Sequence, residues 1–136
     1  MSTQETMSKA KVLIVEDEII TATALRNTLQ EMGFPVCSLE TSGEKAIKTA
    51  ENELPDIVLM DIMLGGEMNG IETAREIHKR FGIPIVYMSG YPKETVLKHA
   101  GIQEPFDAYL PKPVNDLDIK KAIDSALHKH NEDLGE

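Results

Sequence analysis

Five short apolar runs, each handing over to a stretch whose apolar residues recur every three or four positions, limit what this chain can become. Lys11-Val12-Leu13-Ile14-Val15 is the first run, rich in β-branched residues and without the alternation of a half-exposed strand, so it reads as a strand buried on both faces. Val36 to Leu39, Ile57 to Met60, Ile83 to Met88 and Ala108-Tyr109-Leu110 follow as further strands. Between them, Ala22, Leu25, Leu29 and Met32 mark one amphipathic helix, with Gly33 as its C-terminal stop. Ala46, Ile47, Ala50 and Leu54 line a second, closed by Pro55, and Ile71, Ala74, Ile77 and Phe81 a third. A short helix is expected over residues 93–99. The last starts near Asn115, with Leu117, Ile123 and Leu127 among its buried positions.

Strands alternating with helices imply an α/β protein with a parallel sheet, because parallel neighbours need helical crossovers, and these cover both faces. At 136 residues the chain fits one domain with its own core. Residues 1–10 are polar and without periodicity, which predicts a flexible N-terminal segment. The folded domain spans residues 11–129, and a charged tail is expected over residues 130–136.

The chain carries 14 Lys and Arg against 23 Asp and Glu, a formal charge of −9, which disfavours binding to nucleic acid or an anionic membrane. Proteins, small phosphodonors and cations are the expected partners. No apolar stretch is long enough for a bilayer span, and the first residues lack a signal-peptide pattern, so a cytoplasmic location is expected. Cys37 is the sole cysteine and reads as a buried, unreactive thiol. His78, His99, His128 and His130 read as solvated. Gly65-Gly66 lacks the Gly-Lys-Ser/Thr of a nucleotide-binding loop, so ATP is not implied.

In open sheets of this kind, ligands sit beyond the carboxyl ends of the strands. The first strand ends in Glu16-Asp17, the third in Asp61, the fourth in Ser89, and the fifth leads to Lys112. Acids converging on one edge resist ionising together, and a hard divalent cation with oxygen ligands such as Mg²⁺ relieves that. A hydroxyl and an ammonium opposite the acids make sense if a phosphoryl group also sits there. A carboxylate can itself be the nucleophile, so the expected chemistry is in-line attack of Asp61 on a phosphodonor, giving an aspartyl-phosphate.

These residues carry a family resemblance. Val12-Leu13-Ile14-Val15-Glu16-Asp17-Glu18, Asp56 to Leu64, Met88-Ser89-Gly90 and Tyr109-Leu110-Pro111-Lys112-Pro113 together resemble the receiver domain of two-component response regulators, over about Lys11 to Leu127. The resemblance implies a flavodoxin-like, doubly wound sheet of order 2-1-3-4-5 with five helices. It implies Asp61 as phosphoacceptor, with Asp17, Asp61 and the backbone carbonyl of Met63 as Mg²⁺ ligands and Glu16 binding directly or through water. Ser89 and Lys112 would contact the phosphoryl oxygens. It further implies a switch in which Tyr109 turns inward as Ser89 moves, and a cis Lys112-Pro113 bond. The implied phosphodonor is a histidine kinase or phosphotransfer protein. The fourth helix, fifth strand and fifth helix would form the face that binds a downstream partner or a second copy.

Three features depart from the common family pattern. The acidic pair is Glu-Asp where many relatives have Asp-Asp, and the loop Leu64 to Gly70 is longer than usual. The positions two after the phosphoacceptor and two after the hydroxyl, which tune acyl-phosphate hydrolysis in the family, are Met63 and Tyr91. Neither suits the orienting of a water, so a long-lived phosphate is expected. Met63 also stands where aspartyl-nucleophile phosphatases carry a general acid, which argues against turnover and for a switch rather than an enzyme. Acids in the first strand-end loop disfavour a flavin-binding electron carrier. A phosphorylation-independent interaction module of the same fold is the remaining alternative. No DNA-binding helix pair or catalytic domain follows the last helix in this sequence, so a stand-alone receiver and a piece of a larger protein are both compatible with it.

Overall fold

The computed structural model describes residues 9–64, 69–100 and 108–133. Residues 1–8 of the expected flexible segment, residues 65–68 of the glycine-rich loop and residues 134–136 of the tail lie outside them. The elements are β1 (Val12–Val15), α1 (Ile19–Glu31), β2 (Val36–Glu40), α2 (Gly43–Glu53), β3 (Ile57–Asp61), α3 (Gly70–Phe81), β4 (Ile85–Ser89), α4 (Lys93–Ala100), β5 (Ala108–Pro111) and α5 (Asp116–Asp133). The strands form one sheet of order β2-β1-β3-β4-β5, every pair parallel, which is the doubly wound topology expected.

Burial explains the apolar runs. All residues of β1 and β3 are buried, because helices cover both faces of the sheet. On one face Val12, Ile14, Leu59 and Met88 pack against Leu25 and Leu29 of α1 and Ile119, Ile123 and Ala126 of α5. On the other, Leu13, Val15, Met60 and Tyr87 meet Ala46 and Ala50 of α2, Ala74 and Ile77 of α3, and Val96 of α4. The edge strand β2 is only half buried, and Cys37 with it; burial still pushes its thiol above the usual range.

Helix ends follow local chemistry. Gly33, at φ +93°, closes α1 just past its last turn. Ser42 accepts a hydrogen bond from the Lys45 N–H and starts α2. Asn69 and Glu72 form a reciprocal capping box that starts α3.

Two expectations are corrected. Leu54 does not line α2: it caps the helix in the left-handed conformation, at φ 47° and ψ 62°, and is 61% exposed. Beyond the last helical turn the 3.6-residue period no longer fixes a direction, so the apolar pattern misleads there. Leu117 is 63% exposed, because the buried stripe of α5 runs through Ile119, Ala122, Ile123 and Ala126. Two residues ahead of Ile119, Leu117 is roughly 200° round the helix from it. The last helix, α5, runs on to Asp133, through residues 130–133 of the expected tail. Its apolar pattern ends near Leu127, but Gly135 is the first helix-breaking residue after that point.

Candidate functional site

Parallel pairing brings the strand ends to one edge. Val15 of β1 is level with Met60, Asp61 with Met88, and Ser89 with Pro111, so Glu16, Asp61 and Ser89 come to neighbouring positions. Lys112 follows β5 directly, its own N–H donating to the Ser89 carbonyl at 2.8 Å. The Lys112-Pro113 peptide bond is cis, as the resemblance implies.

Polar groups occupy this edge despite their burial. Glu16 and Ser89 are each 1% exposed and Asp61 2%, whereas Asp17 is exposed. Carboxylate oxygens of Glu16, Asp17 and Asp61 all lie within 4.8 Å of one another. The Lys112 ammonium is 2.9 Å from Oε1 of Glu16 and 3.4 Å from Oδ1 of Asp61. The same Asp61 Oδ1 accepts a hydrogen bond from the Met63 N–H at 3.1 Å, and Oε2 of Glu16 accepts one from the Glu18 N–H at 3.3 Å.

The electrostatics are unbalanced. Three carboxylates face one ammonium, and Glu16 shows the strain: burial first, and then the neighbouring Asp61, push its carboxyl up to about 7 against the pull of Lys112. Burial alone would lower the Lys112 ammonium, but Glu16 and Asp61 outweigh it and hold it above its usual range. A hard divalent cation suits such a set, since all the donors are oxygens and the excess charge is negative. The donor set therefore fits Mg²⁺.

Ser89 and Tyr109 meet elsewhere, on the backbone of Tyr91. Ser89 Oγ accepts from the Tyr91 N–H at 3.0 Å, and the Tyr109 hydroxyl donates to the Tyr91 carbonyl and, at 3.5 Å, to that of Ser89. Burial pushes the Tyr109 phenol above its usual range. The structure thus joins Glu16, Asp17, Asp61 and Lys112 directly, while Ser89 and Tyr109 are tied together through the turn after β4.

Two clefts flank the acids. One, of about 400 Å³, is lined by Glu16, Thr21, Met88, Lys112, Val114 and Ile119. The other, of about 520 Å³ and mainly apolar, is lined by Ile62, Met63, Asn69, Ile71, Tyr91 and Val96. The sequence reading passed over Asn69 and Gly70. The spacing of Asn69 and Glu72 is a visible helix-start signal, but the contact of Gly70 with the Asp61 backbone has no sequence signature.

Comparison with known proteins agrees with this fold. Residues 12–124 match the family model of the response regulator receiver domain. The fold is similar to the signal receiver domain of a modulated diguanylate cyclase from Desulfovibrio desulfuricans G20, with 34% identity and a TM-score of 0.83 over 92% of this chain and 98% of that one. It is also similar to a CheY-like response regulator receiver domain protein from Methanospirillum hungatei JF-1, with 28% identity and a TM-score of 0.74 over 92% and 98% of the two chains. A third similar structure is the response regulator PhyR from Brucella abortus, at 25% identity and a TM-score of 0.80, where the match covers 98% of this chain but 55% of that one. Receiver domains are in general signalling modules rather than enzymes, and no helix among the described residues is long and apolar enough to cross a membrane. The family match, spanning most of the chain and all the strand ends that carry the acidic cluster, establishes that this chain belongs to the response regulator receiver domain family.

Proposed function

We propose that the chain is a signalling switch that accepts a phosphoryl group on Asp61 from a histidine kinase or phosphotransfer protein in a Mg²⁺-dependent reaction. The observation that carries this reading is the contact of Lys112 with both Glu16 and Asp61 inside a cluster of three acids. An ammonium so placed neutralises a phosphoryl oxygen as readily as it does a carboxylate.

In the transfer, a carboxylate oxygen of Asp61 forms the new P–O bond while the bond from phosphorus to the donor's imidazole nitrogen or leaving oxygen breaks. Glu16, Asp17, Asp61 and the Met63 carbonyl would hold Mg²⁺, which when bound supplies charge neutralisation for the phosphoryl oxygens. Lys112 would stabilise the charge spread over those oxygens, as a fixed cation that needs no reorganisation. Ser89 would exchange its bond to the Tyr91 N–H for one to the phosphoryl group. Because Tyr109 binds the same turn, that exchange would be felt at the α4-β5-α5 face, where a downstream protein or a second copy binds. Such a switch works in the cytoplasm.

The chemical nature of the product tests the reading. Incubation with acetyl phosphate and Mg²⁺ should give one phosphoryl adduct per chain that neutral hydroxylamine removes, as it does an acyl-phosphate. An adduct stable to hydroxylamine would place the modification on a hydroxyl and refute the assignment.

A further inference from the structure

Gly70 opens α3 immediately against the phosphoacceptor. Its N–H donates to the Ile62 carbonyl at 3.1 Å. A methyl group at its Cα would overlap the Asp61 carbonyl oxygen, and would lie 2.7 Å from Ile62 Cα and 2.9 Å from the Asp61 carbonyl carbon. All three are backbone atoms, so no side chain can swing aside to make room. Nor does backbone conformation demand glycine here: Gly33 and Gly82 are the glycines with positive φ among the described residues. In an ordinary helical position glycine is a poor choice, since it costs conformational entropy that alanine does not. What selects it at residue 70 is the missing side chain.

From this we infer that Gly70 is a positioning residue: the first turn of α3 is a backstop that sets where the end of β3 places the Asp61 carboxylate and the Met63 amide. The inference rests on the reading of Asp61 as phosphoacceptor, which it deepens. The end of β3 is held from its other side as well, by the bond from the Ile62 N–H to the Met88 carbonyl at 3.0 Å. Between these two anchors the Asp61 backbone has little freedom. Its side chain reaches Lys112 and the Met63 N–H from that fixed point. An added methyl has to displace either the helix turn or the strand end by about an ångström, and an error of that size in a reacting group is enough to slow transfer by a large factor.

Gly82 supplies the control. It lies at the other end of α3, at φ +69°, with no atom within 4 Å of where a Cβ would sit. Gly82→Ala therefore strains and weakens the same helix without touching the site. Gly70→Ala should lower the rate constant for phosphorylation by acetyl phosphate at saturating Mg²⁺ by about tenfold or more, and shift the Ile62 and Met63 amide signals in ¹H–¹⁵N spectra. Gly82→Ala should lower the melting temperature and leave both readouts as in the wild type. A wild-type rate in Gly70→Ala overturns the inference whatever the amides do, and so does an equal loss of rate in Gly82→Ala. If the wild type accepts no phosphoryl group, the functional reading fails separately and the amide shifts decide the positioning role. Should Gly70→Ala not fold, Asn69→Ala unties the same turn without adding an atom against Asp61. It should give a smaller loss in both readouts, and wild-type values would overturn the inference.

Discussion

The Lys112 ammonium lies 2.9 Å from a carboxylate oxygen of Glu16, a contact between residues 96 positions apart that closes the end of β1 onto the turn after β5. Glu16 is buried, so this bond and the 3.4 Å approach to Asp61 make Lys112 the cation on which two buried acids depend. Lys112→Met should lower the rate of phosphorylation by acetyl phosphate about 10²–10³-fold, the usual cost of deleting one preorganised charge-stabilising donor. Stopped-flow or quenched-flow mass measurements check this. The variant should also gain more thermal stability from Mg²⁺ than the wild type does.

Glu16 predicts a pH dependence whose sign is fixed by its raised pKa. The folded state holds the Glu16 proton up to about pH 7, against 4.5 for the ordinary carboxyl, so it binds more protons than the unfolded chain between those values. Without metal, this group makes stability fall as pH rises from about 4.5 to about 7, by at most ~1.4 kcal/mol per pH unit. Denaturant titrations at pH 5 and pH 7 measure it. Glu16→Gln should flatten the dependence. Saturating Mg²⁺ should oppose it, because metal binding requires the deprotonated carboxyl and so stabilises the protein more at pH 7 than at pH 5.

The core predicts a contrast among apolar residues that look alike in the sequence. Ile123 is fully buried between α5 and the sheet, and Ile123→Ala should cost about 2–5 kcal/mol. Leu54→Ala and Leu117→Ala remove exposed side chains and should stay within about 0.5 kcal/mol. Chemical denaturation with a common m-value separates these outcomes. A loss above 2 kcal/mol at Leu117 would contradict the register assigned to α5.

The phosphate should be long-lived. Met63 and Tyr91 are both exposed beside the mainly apolar cleft next to Asp61, and neither is well suited to orient a water for attack on an acyl-phosphate. After removal of donor, the half-life of the adduct should be minutes or longer at neutral pH, and Met63→Glu should shorten it. A half-life of seconds in the wild type would contradict this.

Much of the fold was legible because burial on both sides forces unbroken apolar runs, and β1 and residues 57–60 of β3 show that pattern. The acids and Lys112 were legible for a related reason. A charged residue directly after such a run can only lie at the sheet edge, and parallel strands share that edge. Leu54 misled because periodicity assigns a face only inside a helix and it sits past the last turn of α2, and Leu117 because it was counted into a buried stripe of α5 that starts at Ile119. The tie of Ser89 and Tyr109 through the Tyr91 backbone was hidden, since main-chain groups are the same at every residue. Gly70 was hidden too: a glycine needed for close approach looks like any loop glycine until the atoms it would strike are known.

Transfer of the phosphoryl group to Asp61 with Mg²⁺ in place is read out by intact-protein mass after incubation with acetyl phosphate. A single phosphoryl adduct is expected in the presence of Mg²⁺, none with EDTA, and none in Asp61→Asn at either condition. An adduct of undiminished yield in Asp61→Asn, or the absence of any adduct in a folded wild-type protein that binds Mg²⁺, would contradict it.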